Sequence, residues 1–270
     1  MYWPDRKLIG QNNYLNLCES ICNERIASFQ SRRGCSHNCA MCGEHCMTGI
    51  YNAKTNPIRL RDVEDLCNEI EYVNHKYDIT RIKFVDPTWA FPVESVISFC
   101  DEYNKRNIEL PWEAMAHAAY LTEDIMSYMA SSGCDQLNIG VESGNQQILN
   151  SIRKGVTIDK IKKVFYWGKK VGINMRAFFM IGYPDETEET IKDTINLIEQ
   201  IEPDVFGCTI LTPYPGSDFY REEFKHEDWS NANEYNNDFW YSKNYPNCGL
   251  KRIQKLLNER FNHILVGHQK

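Results

Sequence analysis

The chain has 270 residues, 42% of them hydrophobic and 25% charged, with a net charge of −7. That size suffices for a substantial core or a single α/β barrel, and the acidic balance excludes a broad electrostatic footprint for nucleic acid. No stretch reaches the ~20 apolar residues of a membrane span, and the opening MYWPDRKLIGQNN lacks the apolar run of a signal peptide.

Residues 25–33 (RIASFQSRR) predict a first strand that runs into the loop RGCSHNCAMC, carrying Cys35, Cys39 and Cys42. Val63, Leu66, Cys67, Ile70 and Val73 recur at helical spacing, which predicts a helix over 62–78 with Asp62 as its N-cap. RIKFVD (81–86) reads as the second strand, followed by a helix near 93–106. WEAMAH (112–117) reads as the third strand, followed by a helix over 122–132 capped by Thr122.

QLNIGVE (136–142) alternates strictly: Leu137, Ile139 and Val141 on one face, Gln136, Asn138, Gly140 and Glu142 on the other. In a parallel barrel the apolar set packs on the surrounding helices and the polar set faces the lumen. A polar lumen implies a barrel that encloses something. A helix follows from about 157, with Ile158, Ile161, Val164, Phe165 and Val171 on one side and Gly172 at its stop. NMRAFFMIG (174–182) is the fifth strand, TEETIKDTINLIEQI (187–201) an amphipathic helix capped by Thr187, and VFGCTILTP (205–213) the sixth strand. Beyond about 218 the sequence turns polar and aromatic, ending in a helix near 250–265. About six βα units in a row predict an α/β fold, a right-handed parallel barrel that is partly closed. The expected organisation is an N-terminal extension (1–24), a core barrel (25–220) and a C-terminal extension with a terminal helix (221–270).

Eleven cysteines, an odd number without an export signal, indicate reduced thiols in a cytoplasmic protein, three or more of them on metal. The spacing of Cys35, Cys39 and Cys42 offers three thiolates. Cysteine-held cubane clusters in electron carriers take four, one per iron, so a [4Fe–4S] cluster on three leaves one iron open to another ligand. Cys46 or His45 would instead complete a four-ligand zinc site. The context favours the cluster, because one tight loop follows a barrel-type first strand and barrel chemistry sits on such loops. Cys18, Cys22, Cys46 and Cys248 are either ligands of an auxiliary cluster or scattered thiols, while Cys67, Cys100 and Cys134 read as small hydrophobes.

The ordered set RRGCSHNCAMC, IRLRDVEDLCNEIEYV, FVDPTWAF, CDQLNIGVESGNQQILNSIRKGVT, FFMIGYPDETEETIKDTINLI and ILTPYPGS resembles the radical S-adenosylmethionine (radical SAM) superfamily over about residues 25–220. Within it, the subgroup of cobalamin-dependent methyltransferases and methylthiotransferase-like enzymes is the most similar. The resemblance implies a partial (β/α)6 barrel in which Cys35, Cys39 and Cys42 hold a [4Fe–4S] cluster whose fourth iron binds SAM. One-electron reduction would then yield a 5′-deoxyadenosyl radical that abstracts hydrogen from a substrate. It also implies an electron donor such as flavodoxin or ferredoxin.

Glu142 and Ser143 match the family's ribose-binding position, and strand parity points Glu142 inward; a solvated loop acid is the alternative. Arg176 shares a strand face with Phe178 and Met180, where it either forks onto the SAM carboxylate or makes a structural ion pair. Met41 stands where the family usually places an aromatic residue by the adenine. Ile181, Gly182 and Pro213 match backbone contacts to adenine, or serve as turn residues at the barrel end.

Two residues point at the substrate. Asp86 ends the second strand, as a lumen ligand or as a turn acid. His117 ends the third strand, where relatives often carry arginine, as an acid/base or substrate residue or as a structural histidine. Trp89 and Trp112 line the cavity or pack behind it. The expected substrate is a small molecule or a peptide, with neither a membrane nor nucleic acid as partner. Only 34 residues precede Cys35, too few for the cobalamin domain of the subgroup, so cobalamin is expected only if another chain supplies it. A methyl or methylthio transferase with a cobalamin or accessory chain in trans is one alternative, and a non-catalytic metal-binding interaction module is another.

Overall fold

The computed structural model describes residues 3–44, 46, 58–233 and 237–261. Six strands form one sheet in sequence order: β1 (Ile26–Phe29), β4 (Arg81–Phe84), β5 (Trp112–Ala116), β6 (Cys134–Glu142), β7 (Asn174–Ile181) and β8 (Val205–Ile210). Every neighbouring pair is parallel, which confirms the α/β fold and the partial (β/α)6 barrel.

The crossovers carry the expected helices: α2 (Val63–Tyr77), α3 (Val93–Lys105), α4 (Glu123–Ser131), α6 (Ile158–Val171) and α7 (Glu188–Ile201), with α8 (Asn247–Arg260) near the end. The capping residues read from the sequence do what their chemistry predicts. Asp62, Thr122, Thr157 and Thr187 each accept a backbone N–H of the first turn, and Gly172 closes α6 at φ 78.

Three local expectations differ. The first strand is two pieces: β1 stops at Phe29, and Arg32–Arg33 (β2) pairs antiparallel with Arg59–Leu60 (β3). The Asp86 carboxylate takes the backbone N–H groups of Ser31 and Arg32 (2.9 Å each) and the Ser31 hydroxyl (2.9 Å), pulling the chain out of the sheet there. Helix α1 (Gln11–Cys22) had no clear signal, since Gly10 precedes it without a polar cap and only Gln11 and Leu15 are buried. The short α5 (Gln146–Ser151) stands between the fourth strand and the expected helix; Asn145 caps it through Gln147 and Ile148. The terminal helix is described to Arg260, and residues 262–265 of its expected span lie outside the described residues.

Burial follows strand parity. On β7, Met175, Ala177, Phe179 and Ile181 are buried under the helices, while Asn174, Arg176, Phe178 and Met180 face the concave side. Trp89 and Trp112 belong to the helix-side core, fully buried against Phe84 and Phe99. They therefore pack behind the cavity.

The sheet does not close, and its two edges are tied by side chains. Arg6 Nη1 donates to the Ser28 carbonyl on β1 (3.0 Å), and Asn258 and Gln254 of α8 bond the Cys208 backbone on β8. No described helix is long and apolar enough to cross a membrane.

Candidate active site at the carboxyl ends of the strands

Cys35, Cys39 and Cys42 lie on the loop that leaves β2. The Cys42 N–H donates to the Cys39 carbonyl (3.1 Å), so the last two thiols share one turn. The backbone N–H groups of His37 and Glu44 point at the sulfurs of Cys35 and Cys42, at 3.4 Å each. Burial pushes the Cys39 thiol up to about 11, while the nearby Lys154 ammonium pulls the other way. Such a thiol loses its proton on binding metal. Among the described residues no three His, Cys, Asp or Glu side chains converge on one metal ion. A cubane instead spreads its thiolates over separate irons. Cys46 packs against Gly216, and His45 lies outside the described residues.

The segment Ile152–Lys154, near the end of the motif CDQLNIGVESGNQQILNSIRKGVT, is the strap that holds this loop. The Ile152 carbonyl accepts the Ala40 N–H (2.9 Å), Arg153 Nε donates to the Asn38 carbonyl (2.8 Å), and the Arg153 carbonyl faces Cys39 Sγ (3.9 Å). Arg153 sits at φ 54, the left-handed turn that lets one short segment aim all three groups at the loop. The following residue, Lys154, is 6% exposed, and its Nζ donates to Glu142 Oε1 at 2.7 Å. Burial works against the ammonium, yet the Glu142 charge and hydrogen bond, together with the nearby Cys39 and Cys42 thiols, outweigh it and hold the Lys154 pKa above its ordinary value.

Glu142 reaches the concave side by a device that parity alone does not supply. The β6–β7 register slips between Gly140 and Glu142, and Glu142 has φ 69, so its carboxylate folds back over Gly140. A Cβ at position 140 would lie 2.5 Å from Glu142 Oε1 and 2.9 Å from Lys154 Nζ. Ser143 is not brought beside it. Its hydroxyl is fully buried, 3.4 Å from Thr194 Oγ1 on α7, and accepts the Asn145 N–H.

His117 follows β5 with both ring nitrogens engaged: Nε2 lies 2.8 Å from the Lys154 carbonyl and Nδ1 accepts the Ala119 N–H (3.2 Å). Burial drives its pKa down to about 2, helped by the Lys154 charge, so the ring is neutral. It stacks on His37 of the cysteine loop with centroids 3.8 Å apart. Asp86 is likewise engaged in the turn described above, and burial raises its pKa. The Asp86 carboxylate and both His117 ring nitrogens thus have partners within the protein.

Met41 is half-buried against the core. Ile181 is buried at the end of β7. The Gly182 N–H donates to Glu186 Oε2 (2.7 Å), and the Gly182 carbonyl accepts Trp240 Nε1 (2.8 Å). Pro213 is buried in the loop after β8, where Asn237 Nδ2 bonds the Leu211 carbonyl. Arg176 stands on the concave face, opposite Asn138 in register and three residues before Phe179, the residue opposite Glu142. At about 3.3 Å per residue that is roughly 10 Å deeper than Glu142.

The sequence profile of the Radical SAM superfamily matches residues 30–198. Among curated relatives, an uncharacterized methyltransferase of Pyrococcus horikoshii is 29% identical over 185 residues, 68% of this chain and 39% of its own length. The anaerobic magnesium-protoporphyrin IX monomethyl ester cyclase of Rubrivivax gelatinosus is 26% identical over 221 residues, 81% of this chain and 38% of the cyclase. The chain thus spans about two fifths of the length of these relatives. Among solved structures, the radical S-adenosylmethionine methyltransferase TsrM of Kitasatospora setae, with cobalamin and a [4Fe–4S] cluster bound, is similar in fold. Its TM-score is 0.65 at 18% identity, covering 76% of this chain and 37% of that one.

Proposed function

The chain belongs to the radical SAM superfamily, and from that premise we propose that it cleaves SAM reductively and abstracts hydrogen from a small-molecule or peptide substrate held in the lumen. The residues present suit a [4Fe–4S] cluster: three thiols on one loop, two of them facing backbone N–H groups that favour the thiolate. Cys35, Cys39 and Cys42 would hold it. When bound, it supplies the electron that splits the SAM sulfonium into methionine and a 5′-deoxyadenosyl radical.

One observation carries this reading. The strap Ile152–Lys154 grips the cysteine loop and, through Lys154, also grips Glu142. The triad and the carboxylate therefore belong to one site. Glu142 would accept the hydroxyls of the SAM ribose, with Lys154 fixing the orientation of its carboxylate. Met41, Ile181, Gly182 and Pro213 would form the adenine wall. Gly182 contributes surface there, because its own N–H and C=O are engaged within the protein. His117 and Asp86 act as positioning residues in this reading: His117 holds the cysteine loop through the stack on His37, and Asp86 holds the turn that feeds it. A flavodoxin or ferredoxin would deliver the electron.

The test is anaerobic reconstitution with iron and sulfide, followed by dithionite and SAM. Cluster absorption that disappears in Cys39→Ala, together with 5′-deoxyadenosine above a no-enzyme control, is the expected result. A reconstituted protein that forms no 5′-deoxyadenosine overturns the reading. Methyl transfer is the second reading, favoured by the methyltransferases among the relatives and fold neighbours. It would use cobalamin. Transfer of labelled methyl from SAM only when cobalamin is added would select it.

A further inference from the structure

The concave face of the sheet is built in layers, and its cations are matched to carboxylates with a single exception among the described residues. In the deepest layer Lys83 Nζ pairs with Glu113 Oε1 (3.2 Å), and Gln136 Nε2 donates to Glu113 Oε2 (2.9 Å). Arg81 pairs with Asp135 (Nη1 to Oδ2, 2.8 Å) and lies 4.0 Å from Glu113. At the rim Lys154 pairs with Glu142.

Between these layers lies Arg176, level with Met115 and Asn138 in register. No carboxylate pairs with it among the described residues. Its Nε is buried without a hydrogen-bond partner. Its guanidinium carbon stands 4.9 Å from the centre of the Phe178 ring, which keeps the charge on the concave side. A half-buried guanidinium without a counter-ion is an unusual thing for a fold to keep, since desolvated charge is costly unless paired.

The surroundings say what is missing. Met115, in the same layer, is 41% exposed, and Val85, just past β4 beside it, is 48% exposed, although both project from the concave side of a barrel-type sheet. On β8 the residue level with Arg176 is Val205, and one layer above it Gly207, level with Phe178, adds no side chain. The layer thus offers one fixed fork of N–H donors beside uncovered apolar wall.

We propose that Arg176 is a substrate-recognition residue, and that the substrate carries an oxyanion for this guanidinium joined to an apolar body that covers Val85 and Met115. A planar guanidinium suits a carboxylate or phosphate held bidentately. The SAM carboxylate is the other source of such a group. The SAM carboxylate would sit at the open iron by the cysteine loop, at the rim. Arg176 lies two residues, about 7 Å, below the level of Gly140, over which the Glu142 carboxylate rests, and that depth favours the substrate. The assignment rests on the SAM-cleavage reading only for calling the bound anion a substrate.

Benzoate is a suitable probe and benzamide its neutral counterpart, titrated into the reconstituted full chain with calorimetry and the Arg176 Nε–H resonance as readouts. Benzoate is expected to bind saturably and move that resonance, with benzamide at least tenfold weaker. Arg176→Gln should weaken benzoate at least tenfold and leave benzamide unchanged, and Arg176→Lys should recover part of the loss. Saturating SAM should leave benzoate affinity within twofold. Equal binding of the two probes, benzoate binding indifferent to Arg176→Gln, or displacement of benzoate by SAM each overturns the proposal. Since Arg176 holds no ion pair, its replacements should stay folded, and a melting curve for each variant checks this. Benzoate binding through Arg176 in a protein that makes no 5′-deoxyadenosine would sink the radical reading and leave the anion site standing. SAM cleavage with no Arg176-dependent benzoate binding would do the reverse.

Discussion

Lys154 Nζ lies 2.7 Å from Glu142 Oε1, and this ion pair occupies the volume that a side chain at position 140 would need. The glycine on β6, the carboxylate past the bulge and the lysine of the strap are one construction. Each of the three residues can be altered alone.

Gly140→Ala places a methyl 2.5 Å from the carboxylate and 2.9 Å from the ammonium. Both are ends of flexible side chains, so the fold should survive while the pair is displaced. SAM affinity of the reconstituted protein, measured by equilibrium dialysis, is expected to fall about tenfold, or about 1.4 kcal/mol. Unchanged affinity would separate the pair from SAM binding.

Lys154→Met removes the cation and leaves a carboxylate largely buried. Breaking a buried pair from one side costs about 3–5 kcal/mol, whereas removing both charges costs much less. Urea unfolding of the metal-free protein should therefore show Lys154→Met as the less stable protein and the Glu142→Gln, Lys154→Met double variant as partly restored. A strictly additive double variant would mean that the two charges do not interact.

Glu186 holds the turn after β7 through the N–H groups of Gly182 and Tyr183, and burial lifts its pKa from 4.5 to about 7. Between those values the folded chain binds a proton that the unfolded chain has released, so stability falls as pH rises from about 4.5 to 7, by about 3 kcal/mol in all. Glu186→Gln should flatten this limb of the stability profile. An identical slope in that variant would assign the effect elsewhere.

His117 gives the opposite limb. Burial depresses its pKa from 6.5 to about 2, so the unfolded chain takes up a proton that the folded chain refuses. Stability is lost as pH falls below about 6.5, reaching about 2 kcal/mol at pH 5. His117→Phe keeps a ring to stack on His37 but cannot titrate, so melting temperatures recorded from pH 7 down to 5 should decline less steeply in this variant.

Much of the fold was legible because it depends on neighbours in sequence. The alternation of QLNIGVE, the caps Asp62, Thr122, Thr157 and Thr187, and the stop at Gly172 are local features, and each appears where its chemistry requires. The break after Phe29 was not legible, because the carboxylate that causes it comes from Asp86, 55 positions beyond Ser31. Ser143 shows the limit of motif spacing: adjacent to Glu142, it nonetheless turns into α7 once Glu142 takes a left-handed conformation.

By itself the sequence determined the order of strands and helices, the polar concave face and the three thiols on the first loop, since hydrophobic period, capping and spacing are written residue by residue. Tertiary structure decided which charges meet. It brought Lys154 to Glu142, stacked His117 on His37 beside the cysteines, and left Arg176 without a partner among the described residues. Pairing and burial depend on distances across the sheet, and no local pattern encodes those.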